Sequence, residues 1–221
     1  SSDLDQLNET YDINGIAISR TWASRLRKIR VPATGMRDYP EIPLILDPVL
    51  ASGRGDELSG EEIISAMREM LLPQTTLVTP NAPEARRLAE NDEDESEPSI
   101  DVCAQRLIEM GAQYVLITGT HESTPQVVNT LYGPNGVVRR DQWERLPGSY
   151  HGSGCTLASA IAGCIAGGAN IEDAVRDAQD YTWNTLKNGF RAGMGQFIPD
   201  RFYWARDDNE TGETKQVDGQ D

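Results

Sequence analysis

The 221-residue sequence lacks both of the common glycine-rich nucleotide-binding patterns. It has no Gly-x-x-x-x-Gly-Lys-Ser/Thr pattern, and no Gly-x-Gly-x-x-Gly opens a strand–helix–strand unit. These absences exclude a P-loop NTPase and a Rossmann dinucleotide-binding domain. The sequence also has no run of 18 apolar residues, so we expect no membrane span. No signal peptide is recognisable at Ser1.

Cysteine and histidine are scarce. The three cysteines, Cys103, Cys155 and Cys164, are odd in number and have no Cys-x-x-Cys spacing. That pattern is typical of a reducing cytoplasm rather than of a disulfide framework. Only two histidines occur, His121 and His151, which argues against a structural zinc site.

Basic residues are outnumbered, with 20 Lys and Arg against 35 Asp and Glu, giving a formal net charge of −15. This charge argues against binding to nucleic acid or to an anionic membrane. A phosphate-bearing small molecule could still bind, because local backbone amides matter more to it than total charge does.

Short apolar runs alternate with segments of helical periodicity from Pro43 onward. The pattern predicts strands over 44–46, 76–79 and 114–117, a hairpin over 127–132 and 137–143, and helices over 61–72, 83–89, 100–110, 156–166 and 171–186. Such alternation predicts a mostly parallel sheet with helices on both faces. Ligands of these sheets bind beyond the carboxyl ends of the strands, so we expect the site in the loops after Leu46, Val78 and Ile117 and before Thr156. The acidic run 92–97 is predicted to be a solvated loop.

The most distinctive motif is the glycine-rich segment His151–Thr156, which opens directly into an apolar helix. Gly152 and Gly154 allow a tight turn, so that the amides around Ser153 can point at one spot beside a helix N-terminus. This arrangement favours an anion hole. Cys155 would lie where a thiol pKa tends to be lowered, and could act as a base toward an alcohol or orient it. The alternative is a turn before a core helix, with Cys155 as a small buried residue.

Asn81 and Glu84 lie three residues apart at a predicted strand-to-helix junction. Amide and carboxylate oxygens at that place suit Mg²⁺ binding through water. They equally suit a helix cap, with Asn81 as the N-cap and Glu84 completing a capping box. The spacing does not decide between the two roles.

Two further strand ends carry candidate residues. Asp47 ends the first predicted strand, where it could support a metal or phosphates, or simply form a turn before Pro48. Thr118 and Gly119 follow another strand and could line phosphates. His121 lies just beyond them and is interpreted as a structural histidine.

Three of these motifs together, in this order and spacing, resemble the ribokinase superfamily. Asn81 and Glu84 resemble its magnesium motif, and the loop 152–154 resembles its anion hole, which an aspartate base usually follows. Cys155 stands in the place of that aspartate. This substitution resembles the hydroxymethylpyrimidine/phosphomethylpyrimidine kinases and related pyridoxal kinases, as do Asp47-Pro48-Val49-Leu50, Thr79-Pro80-Asn81 and Gly193-Met194-Gly195. The resemblance covers roughly residues 38–204.

The resemblance implies a three-layer α/β/α sandwich and a cytoplasmic homodimer that uses ATP and Mg²⁺. It implies transfer of the γ-phosphoryl group to 4-amino-5-hydroxymethyl-2-methylpyrimidine or to its monophosphate. In that reaction Cys155 would sit beside the acceptor hydroxyl. Asp47, Thr118, Gly119 and Gly193 would bind the nucleotide.

The N-terminal segment departs from the family pattern. Residues 1–42 contain no match to the family's first strand, whose glycine-rich loop carries an aspartate that contacts the pyrimidine. Residues 15–37 carry six basic side chains and no acidic one, which indicates a basic helix and loop, an altered segment, or a nucleic-acid arm. We therefore expect an atypical segment over 1–42, a kinase domain over 43–204 and a disordered acidic tail over 205–221.

The same departure keeps two alternatives to the thiamine-pathway kinase open. One is a catalytically incomplete chain that binds nucleotide or dimerises without turnover, which the unmatched N-terminal motif favours. The other is a kinase of pyridoxal or a related vitamin, because Cys155 beside the anion hole is compatible with either acceptor.

Overall fold

A six-stranded mixed sheet lies at the centre of the part of the chain that the structure describes. The structure is a computed structural model that describes residues 41–50, 61–92, 94, 96–119 and 124–205, together with the backbone of 16–18. The strands are β1 (Ile16–Ile18), β2 (Leu44–Leu46), β3 (Leu77–Val78), β4 (Tyr114–Ile117), β5 (Gln126–Gly133) and β6 (Gly136–Glu144).

The strands lie side by side in chain order. Strands β1 to β4 are parallel, with Ile45 opposite Leu77 and Val78 opposite Val115. Strands β5 and β6 form an antiparallel hairpin added to β4. Strands β2, β3 and β4 are short and largely buried on both faces, as expected for strands covered by crossover helices.

Within the described ranges, five α-helices connect and flank these strands. They are α1 (Glu61–Ala66), α2 (Ala82–Ala89), α3 (Ile100–Glu109), α4 (Ser153–Ala166) and α5 (Ile171–Lys187). Helix α1 continues through a π-helical turn, Met67–Leu71, into a 3₁₀ turn, Leu72–Gln74, and a last 3₁₀ turn spans Tyr203–Ala205. Helix α4 begins three residues before the predicted start at Thr156, because the helix takes in part of the glycine-rich segment.

Two apolar clusters, one on each face of the sheet, make the described part of the chain three-layered. On one face Leu44, Leu46 and Val78 pack with helices α1 to α3. On the other, Ile45 and Leu77 pack with α4 and α5. Neighbouring residues of a strand point to opposite faces, so one three-residue strand feeds both clusters. The predicted α/β/α sandwich with a mostly parallel sheet is confirmed.

Several predictions fall outside the described residues. They concern His121, residues 206–221 of the acidic tail, and the segment 1–42 apart from 16–18 and 41–42. The domain boundaries at 43 and 205 stay predictions. Among the described residues, no helix is long and apolar enough to cross a membrane.

The acidic run 92–97 is less solvated than predicted at one position. Both oxygens of Asp94 accept hydrogen bonds of 2.6 Å from the Arg106 guanidinium. This ion pair holds the pKa of Asp94 below its usual value and ties the run to α3. A charge run in the sequence does not reveal such a partner, because the arginine lies 12 residues further on.

Candidate active site

The predicted site residues gather where β2, β3 and β4 end and α4 begins. Asp47 directly follows β2, and Asn81 precedes α2 at the end of β3. Asn81 forms an isolated parallel bridge with Thr118, which follows β4. Because these strands are parallel, their carboxyl ends meet at one edge of the sheet. The candidate residues therefore gather at the sheet edge that the sequence pattern indicates.

Asp47 is the most deeply placed acidic residue of this edge. Its exposed fraction is 5%, and its Oδ2 has no hydrogen-bond partner among the described residues. Gly154, in the first turn of α4, lies beside it. A Cβ on Gly154 would be 3.7 Å from both Asp47 carboxylate oxygens. The structure thus brings the end of β2 beside the glycine-rich segment.

Glu84 forms the capping box that the sequence allowed. Its backbone N–H donates to Asn81 Oδ1 at 2.9 Å, and its Oε2 accepts from the Asn81 N–H at 3.0 Å. Its Oε1 accepts from the N–H of Leu50 at 3.3 Å. The cap is therefore present. The metal role of Asn81 and Glu84 stays a prediction.

The buried carboxyls of Asp47 and Glu84 are electrostatically coupled. Burial raises the pKa of Asp47 to about 6. Burial, opposed by backbone hydrogen bonds and reinforced by the charge of Asp47, raises the pKa of Glu84 to about 7. Two carboxylates held out of water destabilise each other's charged forms, and a cation between them would reverse that effect.

This acidic pair fits a magnesium ion. Mg²⁺ prefers oxygen ligands, keeps several waters and is commonly held by one or two carboxylates plus substrate phosphates. Asp47 Oδ2 is a buried oxygen with an open coordination position. No group of three or more His, Cys, Asp or Glu side chains within the described ranges could hold a metal unaided. A divalent cation here would therefore depend on phosphate oxygens and water for its remaining ligands.

The glycine-rich segment has the backbone shape of an anion hole. Gly152 is the N-cap of α4 with φ of 87°, in the left-handed region that favours glycine, and no side chain caps this helix end. The N–H groups of Ser153, Gly154 and Cys155 lie in the first turn, where a helix offers no acceptors of its own. Together with the helix dipole they form a surface that favours a phosphate.

Cys155 lies in the first turn of α4 and is exposed. The expectation of a lowered thiol pKa is wrong. The surrounding protein desolvates the thiolate, and the negative charge of Asp47 adds to this effect, so the pKa of Cys155 is raised. Backbone hydrogen bonding and the charge of Arg201 act in the opposite direction but do not outweigh desolvation and the carboxylate. The alternative of a fully buried cysteine is also wrong.

Arg201 belongs to this site although sequence patterns did not indicate it. Its Nε donates to Thr156 Oγ1 at 3.2 Å, and its Nη2 would lie 3.3 Å from a Cβ built on Gly152. It therefore covers the first turn of α4. The two hydrogen-bonded residues are 45 positions apart, and no local pattern connects them.

Thr118 and Gly119 lie at the same edge of the sheet. The contacts of Gly119 also give it a structural role. The Gly119 N–H donates to the Asn129 side chain at 3.1 Å. A Cβ on Gly119 would come within 2.3 Å of the Val128 carbonyl oxygen, so the close approach of β5 explains this glycine. Gly193 lies in the exposed segment 191–195, and in the described part of the chain no hydrogen bond joins it to residues 152–155. The nucleotide-binding role of these residues stays a prediction.

Comparison with known proteins places this arrangement in a family. The profile described as phosphomethylpyrimidine kinase matches residues 24–200, which include every site residue that the sequence indicated. The chain belongs to this family. The predicted resemblance is thereby confirmed, and the match extends further toward the N-terminus than the motifs alone indicated.

Curated members of the family are similar over most of this chain but are longer. The hydroxymethylpyrimidine/phosphomethylpyrimidine kinase of Mycobacterium tuberculosis H37Rv is 36% identical over 167 residues, which are 75% of this chain and 60% of that protein. A chloroplastic thiamine biosynthetic bifunctional enzyme of Arabidopsis thaliana is 33% identical over 159 residues, or 72% of this chain and 30% of that protein. The chain thus spans about three fifths of the length of the mycobacterial relatives.

Solved structures of related vitamin kinases share the fold. The ADP complex of Bacillus subtilis pyridoxal kinase superposes with a TM-score of 0.73 at 24% identity, covering 91% of this chain and 76% of that one. The phosphomethylpyrimidine kinase of Clostridium difficile 630 gives a TM-score of 0.60 at 22% identity, covering 82% and 72%. These likenesses agree with the α/β/α architecture.

Proposed function

We propose that the protein transfers the γ-phosphoryl group of ATP to 4-amino-5-hydroxymethyl-2-methylpyrimidine, to its monophosphate, or to both, in thiamine biosynthesis. The observation that carries this proposal is the meeting of two groups at one sheet edge. The buried carboxyl of Asp47, which is electrostatically coupled to Glu84, lies beside the uncapped N-terminus of α4, and this helix end bears Cys155. Family membership and the names of the relatives support the same reaction.

The backbone of residues 152–155 would stabilise the phosphoryl group during its transfer. In phosphoryl transfer, charge spreads over the equatorial oxygens, and the protein's main task is positioning and electrostatic stabilisation. N–H groups fixed in the first turn of α4 need no reorganisation to meet that charge. Gly154 leaves room for the phosphoryl beside Asp47, because no side chain projects there.

Cys155 would orient the acceptor rather than act as a general base. With its pKa raised, the thiol stays protonated at neutral pH. A neutral thiol can hydrogen-bond to an acceptor oxygen and hold it in line with the phosphoryl group. The nearby Asp47 carboxyl, with a pKa of about 6, is largely ionised at neutral pH. The proton that an acceptor hydroxyl loses would pass to a phosphate oxygen or to water, because a bound cation would lower the pKa of Asp47.

Asp47, Glu84 and Asn81 would hold Mg²⁺ together with the nucleotide. The ion would neutralise charge on the phosphates during transfer. Its arrival would lower the pKa values of Asp47 and Glu84, so both carboxyls would be ionised in the loaded site. The capping box fixes Glu84 and Asn81 before the ion binds. By family resemblance, Thr118, Gly119 and Gly193 would contact the nucleotide.

We also expect a homodimer in the cytoplasm. Both expectations rest on the family resemblance, and the scarcity of cysteine is consistent with a reducing compartment. Light scattering on the purified chain would give the oligomeric state directly.

ADP release by the purified chain tests the proposed reaction. With ATP and Mg²⁺, the chain would be offered hydroxymethylpyrimidine, its monophosphate and pyridoxal in turn. We expect release that depends on a pyrimidine acceptor and falls by about tenfold or more in Cys155→Ala, with the KM for ATP nearly unchanged. Cys164→Ala, on the same helix, is the matched control.

The alternatives predict other results. Release with pyridoxal alone would indicate a pyridoxal-type kinase. A folded chain that binds ATP but releases no ADP with any acceptor would indicate an incomplete enzyme and contradict the proposal.

A further inference from the structure

Arg201 holds a positive charge at the mouth of α4. In the described part of the chain it forms no ion pair with a carboxylate, and its one side-chain hydrogen bond is the Nε contact with Thr156. Its Nη atoms remain available to a ligand beside the glycine-rich segment.

The backbone around Arg201 is fixed on α5. The Tyr181 hydroxyl donates to the Arg201 carbonyl oxygen at 3.1 Å. The N–H of Asp200 donates to the Thr185 carbonyl oxygen at 2.9 Å, and the N–H of Phe202 donates to the Asp200 side chain at 3.2 Å. A side chain anchored at both its backbone and its Nε loses little further freedom when its free guanidinium nitrogens bind an anion.

The charge of Arg201 reaches the place where the acceptor is expected. The pKa of Cys155 is raised by burial and by Asp47, and the positive charge of Arg201 acts in the opposite direction. Arg201 and Asp47 thus shift the pKa of the same thiol in opposite directions. An anionic group beside Cys155 would be repelled by Asp47 and attracted by Arg201.

The two acceptors of the proposed reaction differ in the charge they bring to this place. The hydroxymethyl group is neutral, whereas a monophosphate carries about −1.5 to −2 charges at neutral pH. Guanidinium binds phosphate oxygens with strong, directed hydrogen bonds. A fixed arginine beside the acceptor oxygen therefore helps the phosphorylated acceptor more than the alcohol.

We propose that Arg201 binds the phosphate of the monophosphate acceptor and makes the site favour this acceptor over the neutral alcohol. This assignment rests on the proposed kinase function. Arg201 lies outside the loop 152–155 and outside the acidic pair of Asp47 and Glu84. It would make the site selective for the acceptor of the second of two successive phosphorylations.

The kinetic test compares both acceptors in Arg201→Gln, Arg201→Lys and the wild type. We expect Arg201→Gln to lower kcat/KM for the monophosphate by about tenfold to a hundredfold relative to its effect on the alcohol. Arg201→Lys should recover part of this preference. Arg140→Gln is the matched control, because Arg140 is exposed and lines a pocket with Asp101 and Gln105 of α3, away from α4.

Alkylation of Cys155 tests the charge effect without any turnover. Iodoacetate is anionic and iodoacetamide is neutral, so the ratio of their rates reports the local potential. At low salt, Arg201→Gln should lower this ratio at Cys155 by about threefold or more, while Arg201→Lys and Arg140→Gln should leave it near the wild-type value. Mass spectrometry of the peptide that contains Cys155 separates its modification from that of the other two cysteines.

The outcomes distinguish a failure of the role proposed for Arg201 from a failure of the proposed kinase function. Turnover with equal losses for both acceptors in Arg201→Gln, or an unchanged alkylation ratio, would overturn the role of Arg201 and leave the kinase in place. A folded wild type without turnover would overturn the proposed function. Calorimetric binding of the monophosphate and of the alcohol would then decide the role of Arg201, which requires tighter binding of the monophosphate and loss of that preference in Arg201→Gln.

Discussion

Asp47 is a carboxyl group that the fold buries at the end of a strand without giving Oδ2 a hydrogen-bond partner in the described part of the chain. Such a group costs stability, because desolvation disfavours its charged form and the interaction with Cys155 offsets this only in part. Glu84 adds a second buried carboxyl whose pKa is raised to about 7. Residues that cost stability in this way are candidates for function, and Asp47 lies beside the glycine-rich segment where the phosphoryl group is proposed.

Replacing Asp47 should change the pH dependence of stability. The pKa of Asp47 is raised in the folded state, to about 6. Its contribution to stability is therefore fully present below the unfolded pKa and is lost as pH rises through about 6. From pH 4 to pH 8, Asp47→Asn should lose less stability than the wild type by about 1–3 kcal/mol.

Urea unfolding at the two pH values, without Mg²⁺, measures this difference. Any fixed cost of the asparagine side chain cancels, because it is present at both pH values. An identical loss of stability in the two proteins would show that ionisation of Asp47 does not destabilise the folded state.

Replacing Glu84 should raise the Mg²⁺ requirement. Glutamine can still accept a hydrogen bond from the Asn81 N–H, so much of the capping box survives while the negative charge is lost. We expect Glu84→Gln to need about tenfold more Mg²⁺ for half-maximal turnover, since one of the two carboxylates facing the ion is gone. Glu90→Gln, at the other end of α2, is the control. Superimposable Mg²⁺ titrations of wild type and Glu84→Gln would remove Glu84 from the metal site.

At the scale of elements, a buried polar network connects the β5–β6 hairpin, α5 and the end of β4. Gln179 of α5 accepts from the Asn129 side chain at 2.8 Å and donates to Asp141 at 2.9 Å. Asn129 in turn accepts from the Gly119 N–H, and two hydrogen bonds from Arg139 hold Asp141. The network therefore fixes the position of Gly119 at the edge where the nucleotide is expected.

Removing Gln179 should destabilise the whole fold. Gln179→Ala would leave Asn129 and Asp141 without their buried partner, and unsatisfied buried polar groups cost more than a hydrogen bond returns. We expect a loss of about 2–4 kcal/mol in the free energy of unfolding, measured by urea denaturation. Gln105→Ala, at an exposed position of α3, should change it by less than about 0.5 kcal/mol. Equal effects of the two substitutions would show that the network contributes nothing specific.

The elements were predictable because each carries a local pattern. Strand β4 was predicted with its observed bounds, and α5 to within one residue, because apolar runs and helical periodicity mark them. The start of α4 was misplaced, since glycine-rich segments read as loops although they can form a first helical turn. The polar network gave no signal, because its partners lie up to 50 residues apart.

At the scale of the whole molecule, the order of the elements determines where the site lies. Asp47, Asn81 and Thr118 follow the parallel strands β2, β3 and β4 and therefore lie at one edge of the sheet. Helix α4 covers one face of the sheet, and its first turn places Gly154 beside Asp47. The rule for parallel sheets predicted this edge from the sequence. It could not predict Arg201, because only the packing of the segment after α5 against α4 brings that side chain to the site.

The mass of the pyrimidine product formed from ATP and Mg²⁺ tests the proposed kinase function most directly. We expect a phosphorylated pyrimidine from the wild type and from Gly163→Val, whose new side chain enters open space on α4. We expect at least a tenfold lower rate from folded Gly154→Val, because the added methyl groups fill the space between the first turn of α4 and Asp47. Wild-type rates from Gly154→Val, or no product from a folded wild type with either pyrimidine acceptor, would contradict the proposed function.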